Sequence, residues 1–99
     1  MKDSRVDMSA NRTIKRKVTF SFAAPQARDV RLVGDFSNWD RNPIAMKKLK
    51  NGEWKTTVSL VTGRYEYRYV VDGKWIDDPN CPTKVPNSFG SQNCLCVVS

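Results

Sequence analysis

The sequence predicts an all-β fold, an antiparallel immunoglobulin-like β-sandwich. Three observations predict it. Apolar and polar residues alternate with a period of two in one short segment after another. Tight-turn pairs, Asn51-Gly52 and Asp72-Gly73, separate such segments. No segment carries a 3.6-residue apolar period over three turns. Six or seven short strands at regular spacing suit two packed antiparallel sheets.

The elements follow in order. Residues 1–12 have no periodicity and few large apolar groups, so they read as a disordered basic tail, with the folded module over 13–99. Val18, Phe20 and Phe22 alternate with Thr19 and Ser21 as a half-buried strand that Pro25 ends. Val30, Leu32 and Gly34 share a face, with Arg31 and Val33 opposite. Asp35 to Pro43 is dense in Asn, Asp and Ser and reads as a loop. Asn51-Gly52 is expected to turn with positive φ at both residues, leading into Trp54, Thr56, Val58 and Leu60 on one face. After a turn at Thr62-Gly63, Tyr65, Tyr67, Tyr69 and Val71 face one way and Arg64, Glu66, Arg68 and Val70 the other. Asp72-Gly73 turns the chain into Lys74-Trp75-Ile76. Asp77 to Gly90 holds three prolines and reads as a long loop, before a last strand over about 92–98.

With 99 residues the chain has the size of one domain and one core. No apolar run approaches a membrane span, and the N-terminus lacks the apolar stretch of a secretory signal, so the expected compartment is the cytoplasm and no membrane partner is expected. Of the net charge of +7, residues 1–17 supply +4 through six cations against two acids. Lys47, Lys48 and Lys50 form a second cluster with no acid beside it. A basic arm on a near-neutral domain is a solvated tail, so nucleic acid is not the expected partner. Three cysteines, no histidine and no second Cys pair leave a zinc site without ligands, so no metal or cofactor is expected. Cys94 and Cys96 point to one face of a strand and Cys81 lies in a loop. All three are expected to be free thiols.

Enzyme readings fail on inventory. Without histidine there is no ordinary Ser-His-Asp or Cys-His arrangement. There is no phosphate-cradling glycine loop. Asp77 and Asp78 are adjacent, so in an extended segment their carboxylates point apart and cannot flank one bond.

The tryptophans point to binding instead. The alternation explains Trp54 as core. Trp39 lies in a polar loop between Asn38 and Asp40, and Trp75 opens a strand after a tight turn, positions that suggest rings partly open to solvent. A flat aromatic ring packs on the C–H face of a pyranose and removes it from water. The hydroxyls around the sugar's edge then need polar partners such as Asn, Arg or Lys. The plainer reading makes both rings plugs that close the ends of the sandwich.

Three motifs carry a resemblance. The run Val30-Arg31-Leu32-Val33-Gly34-Asp35-Phe36-Ser37-Asn38-Trp39 resembles the signature strand and loop of the family-48 carbohydrate-binding modules, with its Gly-x-Phe-x-x-Trp. The stretch from Tyr65 to Trp75 followed by Asp78-Pro79, and the ending from Phe89 to Val98, resemble the same family. The family includes the glycogen-binding domain of the AMP-activated protein kinase β subunit and the N-terminal early-set domains of isoamylase and branching enzyme.

The resemblance implies non-catalytic binding of α-1,4-linked glucan, the glycogen and starch class. It also implies site residues, position by position. Trp39 and Trp75 match the two tryptophans that stack on glucose. Arg68 stands where lysine is usual, with a planar fork in place of a point charge. Asn93 matches an asparagine that bonds hydroxyls. Ser91 stands for a threonine, and Phe89 for a leucine that reaches into the curl of the glucan. The plainer readings are a solvated face or a pair with Glu66 for Arg68, and turn and edge chemistry for Asn93 and Ser91. The curved α-1,4 chain is expected to suit two non-coplanar tryptophans. The alternative function is an interaction or accessory domain that docks onto, or derives from, a family-13 type glucan-processing enzyme or a kinase. That reading expects exposed apolar residues away from Trp39, with Val33, Val70 and Val97 as candidates.

Overall fold

The computed structural model describes residues 14–88 and 90–99. The expected tail over 1–12, and Phe89, lie outside the described residues. The strands are β1 (Arg16–Ala23), β2 (Val30–Gly34), β3 (Ile44–Ala45), β4 (Lys47–Lys48), β5 (Glu53–Leu60), β6 (Gly63–Val71), β7 (Lys74–Ile76), β8 (Lys84–Pro86) and β9 (Gln92–Val98). Two single turns of 3₁₀ helix, Asp35–Ser37 and Trp39–Arg41, interrupt the loop after β2.

The strands form two antiparallel sheets, as the alternation predicts. One has three strands in the order β1-β5-β4. The other has six, in the order β3-β2-β6-β9-β8, with β7 also on β6. β2 takes one edge of β6. β9 and β7 share the other edge, β9 along residues 63–67 and β7 along 69–71. Arg68 therefore stands at the junction of the two.

Rings fill the space between the sheets. Phe20 and Phe22 of β1 meet Tyr67 and Tyr69 of β6, with centroids 5.0 and 4.8 Å apart. Val30, Leu32, Met46, Trp54 and Cys94 complete the core. Gly34 is required where it stands. A Cβ there would lie 2.6 Å from the Glu66 carbonyl oxygen and 2.9 Å from the Phe36 ring.

Each buried phenol has a partner. Tyr67 Oη donates to Asp78 Oδ2 at 2.8 Å, and Tyr69 Oη to the Ser21 carbonyl at 3.3 Å. Burial pushes both phenols well above the usual tyrosine range, and for Tyr67 the Asp78 carboxylate adds to it. The unfolded chain then releases these protons first as pH rises. The linked stability is whole below the unfolded tyrosine value of about 10 and is lost progressively above it. Urea midpoints measured from pH 8 to 11.5 are expected to fall from about pH 10, and less steeply in Tyr67→Phe. A flat profile would contradict the burial of these groups.

The structure corrects several expectations. The Asp72-Gly73 turn has positive φ at both residues, 50° and 84°, as expected. At Asn51-Gly52 only Gly52 does, at 85°. The hairpin there closes through Leu49 N–H to Glu53 O at 2.7 Å and Gly52 N–H to Leu49 O at 3.1 Å, so it is wider than a two-residue turn. Cys81 and Cys94 are joined in a disulfide, with Cα atoms 6.0 Å apart, and are not free thiols. Cys96 alone is free, its thiol pushed up by burial. The same-face argument rightly separates Cys94 from Cys96. It missed the loop that folds back over β9, where Lys84 Nζ donates to the Asp78 carbonyl at 3.2 Å and brings Cys81 across. Val33 is fully buried and Val70 half-buried, while Val97 is exposed. The apolar patch expected by the interaction-module reading is therefore absent from this trio.

Candidate functional site

The outer face of the six-stranded sheet carries a groove of about 560 Å³ lined by Trp39, Asp40, Arg68, Trp75, Asn87 and Asn93. Trp39 and Asp40 arrive on one 3₁₀ turn, Arg68 on β6, Trp75 on β7, Asn87 on the loop after β8 and Asn93 on β9.

Trp39 is delivered by a strained turn. Asn38 and Trp39 both have φ of 57°. Left-handed backbone costs a residue with a Cβ roughly 1–2 kcal/mol. Side chains of the preceding turn hold it. Ser37 Oγ accepts from the Gly34 N–H at 3.1 Å and lies within donating distance of the Trp39 carbonyl, also 3.1 Å. Trp39 Nε1 donates to Asp35 Oδ1 at 3.0 Å, and Asp35 Oδ2 accepts the Glu66 N–H at 2.8 Å. The indole is thereby tied to β6.

Trp75 sits on β7 opposite Val70 and is 42% exposed, a large share for a tryptophan. Its ring and that of Trp39 are 6.2 Å apart at their centroids, with planes tilted by only 21°. A pyranose clamped between two rings needs about 3.5–4.0 Å of carbon contact on each side. The gap is too narrow for that, so a sugar must lie along the pair and not inside it. The tilt is also smaller than the splay expected from the sequence.

Arg68 supplies the charged edge. Its Nη2 lies 3.1 Å from Asp77 Oδ1, and its guanidinium carbon 5.8 Å from the Trp75 ring centroid. Its partner is Asp77 and not Glu66. Asn93 is buried in a network instead: its Nδ2 donates to Glu66 Oε1 at 3.0 Å and its Oδ1 accepts from Asn87 Nδ2 at 3.0 Å.

Residues 16–99 match the family model described as the glycogen recognition site of AMP-activated protein kinase. The chain belongs to this family of carbohydrate-binding modules. It is 35% identical over 99 residues to the chloroplastic protein PTST homolog 2 of Arabidopsis thaliana, covering 99% of this chain and 18% of that one. It is 31% identical over 86 residues to the chloroplastic phosphoglucan phosphatase LSF1 of the same plant, covering 86% and 14%. It is 30% identical over 71 residues to the AMP-activated protein kinase subunit beta-1 of Sus scrofa, covering 72% and 55%. The chain thus spans less than a fifth of these two plant relatives. Among solved structures, a maltogenic amylase from S. marinus shares its fold with a TM-score of 0.68 at 22% identity, over 86% of this chain and 14% of that one.

Within this glycogen-recognition module the structure brings Trp39, Trp75, Arg68 and Asn93 together around one groove. Ser91 is not among the lining residues. Its N–H donates to Asn87 Oδ1 at 3.1 Å and its carbonyl accepts from the Asn87 N–H at 3.0 Å, closing the loop beneath. Phe89, in that loop, lies outside the described residues. Sequence reasoning missed Asn87, Asp40 and Asp77. Asn87 stands in a stretch of Pro, Asn and Ser that reads only as turn chemistry. Asp78 turns inward to Tyr67 while Asp77 turns to Arg68, so the adjacent pair does point apart.

Proposed function

We propose that the module binds α-1,4-linked glucan on its six-stranded sheet without transforming it. The observation that supports this best is the half-open Trp39–Trp75 platform bordered by Arg68, with Asn87 and Asn93 at the other edge. The rings take the C–H faces of successive glucose units. Arg68, held beside Asp77, and the half-buried Asn87 amide take hydroxyls at the rim, while the buried Asn93 amide, bonded to Glu66 and Asn87, holds Asn87 in position. Ser91 supports the loop that presents Asn87, and Phe89 takes the part of the leucine that it stands for in the resemblance, reaching into the curl of the glucan. A shallow site with two rings and few polar groups binds weakly, with a Kd between about 1 mM and 1 µM.

Among the described residues Asp40 is the single carboxylate that lines the groove, and of the adjacent pair Asp77 is held by Arg68 and Asp78 by Tyr67, so no carboxylate pair flanks a bond there. The chemistry on the bound glucan therefore belongs to a glucan-metabolising enzyme that the module accompanies, in the same chain or as a partner. The cytoplasm is the compartment we infer. A fluorescent fusion found in plastids, the compartment printed for the plant relatives, would replace it.

The test is a titration followed through the indole N–H resonances. Maltoheptaose and β-cyclodextrin are expected to shift the Trp39 and Trp75 signals and leave Trp54 in place. Cellohexaose is expected to shift none. Equal response to both sugars, or a response of Trp54 alone, would remove the stacking model.

A further inference from the structure

The charge of this molecule is divided between its two faces. The three-stranded sheet with its hairpin and lead-in carries Lys15, Arg16, Lys17, Lys47, Lys48, Lys50 and Lys55, seven cations against the single acid Glu53. The rest of the described residues carry seven cations against seven acids. The whole positive excess of the described residues thus lies on the sheet remote from the groove.

The register arranges the outward side chains of that sheet. Ser21 lies opposite Lys55, and Lys55 opposite Lys47, in one row across the three strands. Thr19 faces Thr57 with their hydroxyls 3.3 Å apart, and Lys17 faces Ser59. Two lysines directly opposite on adjacent strands repel, which destabilises a sheet by up to about 1 kcal/mol. Among the described residues no carboxylate within ion-pair distance relieves Lys17, Lys47 or Lys55. Glu53 is two positions along β5, opposite Ala23.

We propose that this face docks an acidic segment or surface of a partner protein. Complementary charge would relieve the Lys47–Lys55 repulsion and leave the glucan groove open on the other sheet. The chemistry of the face favours this occupant. Its outward strand residues are mostly lysines, serines and threonines. The exposed apolar side chains Ile14, Leu49 and Val61 are single residues outside its strands and form no apolar face to enter a membrane. No aromatic ring faces outward to stack on a nucleic-acid base. Its charges lie on a sheet and not along a helix or ribbon that enters a groove of DNA. The inference does not depend on the sugar specificity of the groove.

The experiment measures binding of a fluorescent twenty-residue poly-glutamate peptide by anisotropy, with the full chain at 20 mM and 300 mM salt. Saturable binding at low salt, weakened at least tenfold at high salt, is expected. Lys17→Glu/Lys47→Glu/Lys55→Glu is expected to abolish it. The neutral set Lys17→Gln/Lys47→Gln/Lys55→Gln, which spares the fold any new charge, is expected to weaken it at least tenfold. Both are expected to bind maltoheptaose as before. The control Arg28→Gln/Arg64→Gln/Lys74→Gln removes the same charge from the other side and is expected to leave peptide binding within twofold. Equal loss in the control would show that net charge and not the face is responsible, and would overturn the proposal. So would tighter binding to a twenty-base-pair DNA duplex or to phosphatidylserine vesicles than to the peptide.

Discussion

Trp54→Ala is expected to destabilise the protein by about 3–5 kcal/mol, the range for deleting a large buried ring. Trp54 is 7% exposed and stands opposite Phe22 in the β1–β5 register. It packs in the cluster that holds the two sheets together. Its Nε1 donates to the Ala24 carbonyl at 2.9 Å, which fixes the chain as it leaves β1. Alanine would leave a cavity and remove one of that carbonyl's two donors, the other being the Ala27 N–H at 3.1 Å. A domain of this size has about 5–15 kcal/mol in total, so the loss is a large share of it. Trp54→Phe separates the two contributions, because it keeps most of the packing and loses the hydrogen bond, at about 1 kcal/mol. Urea denaturation with a fixed m-value reads both variants. A loss below 1 kcal/mol for Trp54→Ala would show that the ring does not belong to the core.

Most of the long strands were legible because they bury one face more than the other. β1, β5 and β6 place their buried residues at alternate positions, so their inward residues could be read directly, whereas β9 buries Asn93 and Cys94 side by side. The short strands were not. β3 and β4 have two residues each, too few for any period, and β8 lies among prolines that read as loop. Missing β4 had a consequence. Lys47 and Lys48 stood out as charge in the sequence, but only the register with β5 shows that Lys47 faces Lys55. Val33 was misjudged for a related reason. It faces outward from β2, yet it is fully buried at the floor of a second hollow that Trp75, Val70 and Pro43 also line.

The site was legible as to its residues and not as to its connections. Loop context separated Trp39 and Trp75 from Trp54, because an aromatic ring among Asn and Asp has no apolar neighbours in sequence to pack on. The left-handed backbone at Trp39 left no trace, since its cause is the closure by Ser37 and Asp35. The pairing of Arg68 with Asp77 was also hidden. It needs the β6–β7 hairpin to fold residue 77 back over residue 68, which spacing alone does not specify. Cys81 and Cys94 belong to the same class of long-range contact.

Trp75→Ala is expected to weaken binding of maltoheptaose at least tenfold, and Trp39→Ala likewise, with the fold intact in both. A complex of millimolar to micromolar affinity rests on few contacts, and one of two platforms carries a large share of it. The two substitutions differ in their structural cost. Trp75 is 42% exposed, so its removal is expected to change stability by less than about 1 kcal/mol. Trp39→Ala also loses the hydrogen bond to Asp35, at about 0.5–1.5 kcal/mol, and leaves alanine in left-handed backbone. Arg68→Ala is expected to weaken binding by less, about 1–2 kcal/mol, because a bond to a neutral hydroxyl is worth little more. Its guanidinium is already engaged by Asp77, so part of any loss would come from the freed carboxylate and would vary with salt. The affinity of the unaltered module should hardly depend on salt, since glucan is uncharged and releases no counterions. Calorimetric titration with maltoheptaose at 50 mM and 500 mM salt separates these effects, with thermal melts as the control for folding. If the Trp39→Ala/Trp75→Ala double variant binds maltoheptaose normally, the groove is not the glucan site.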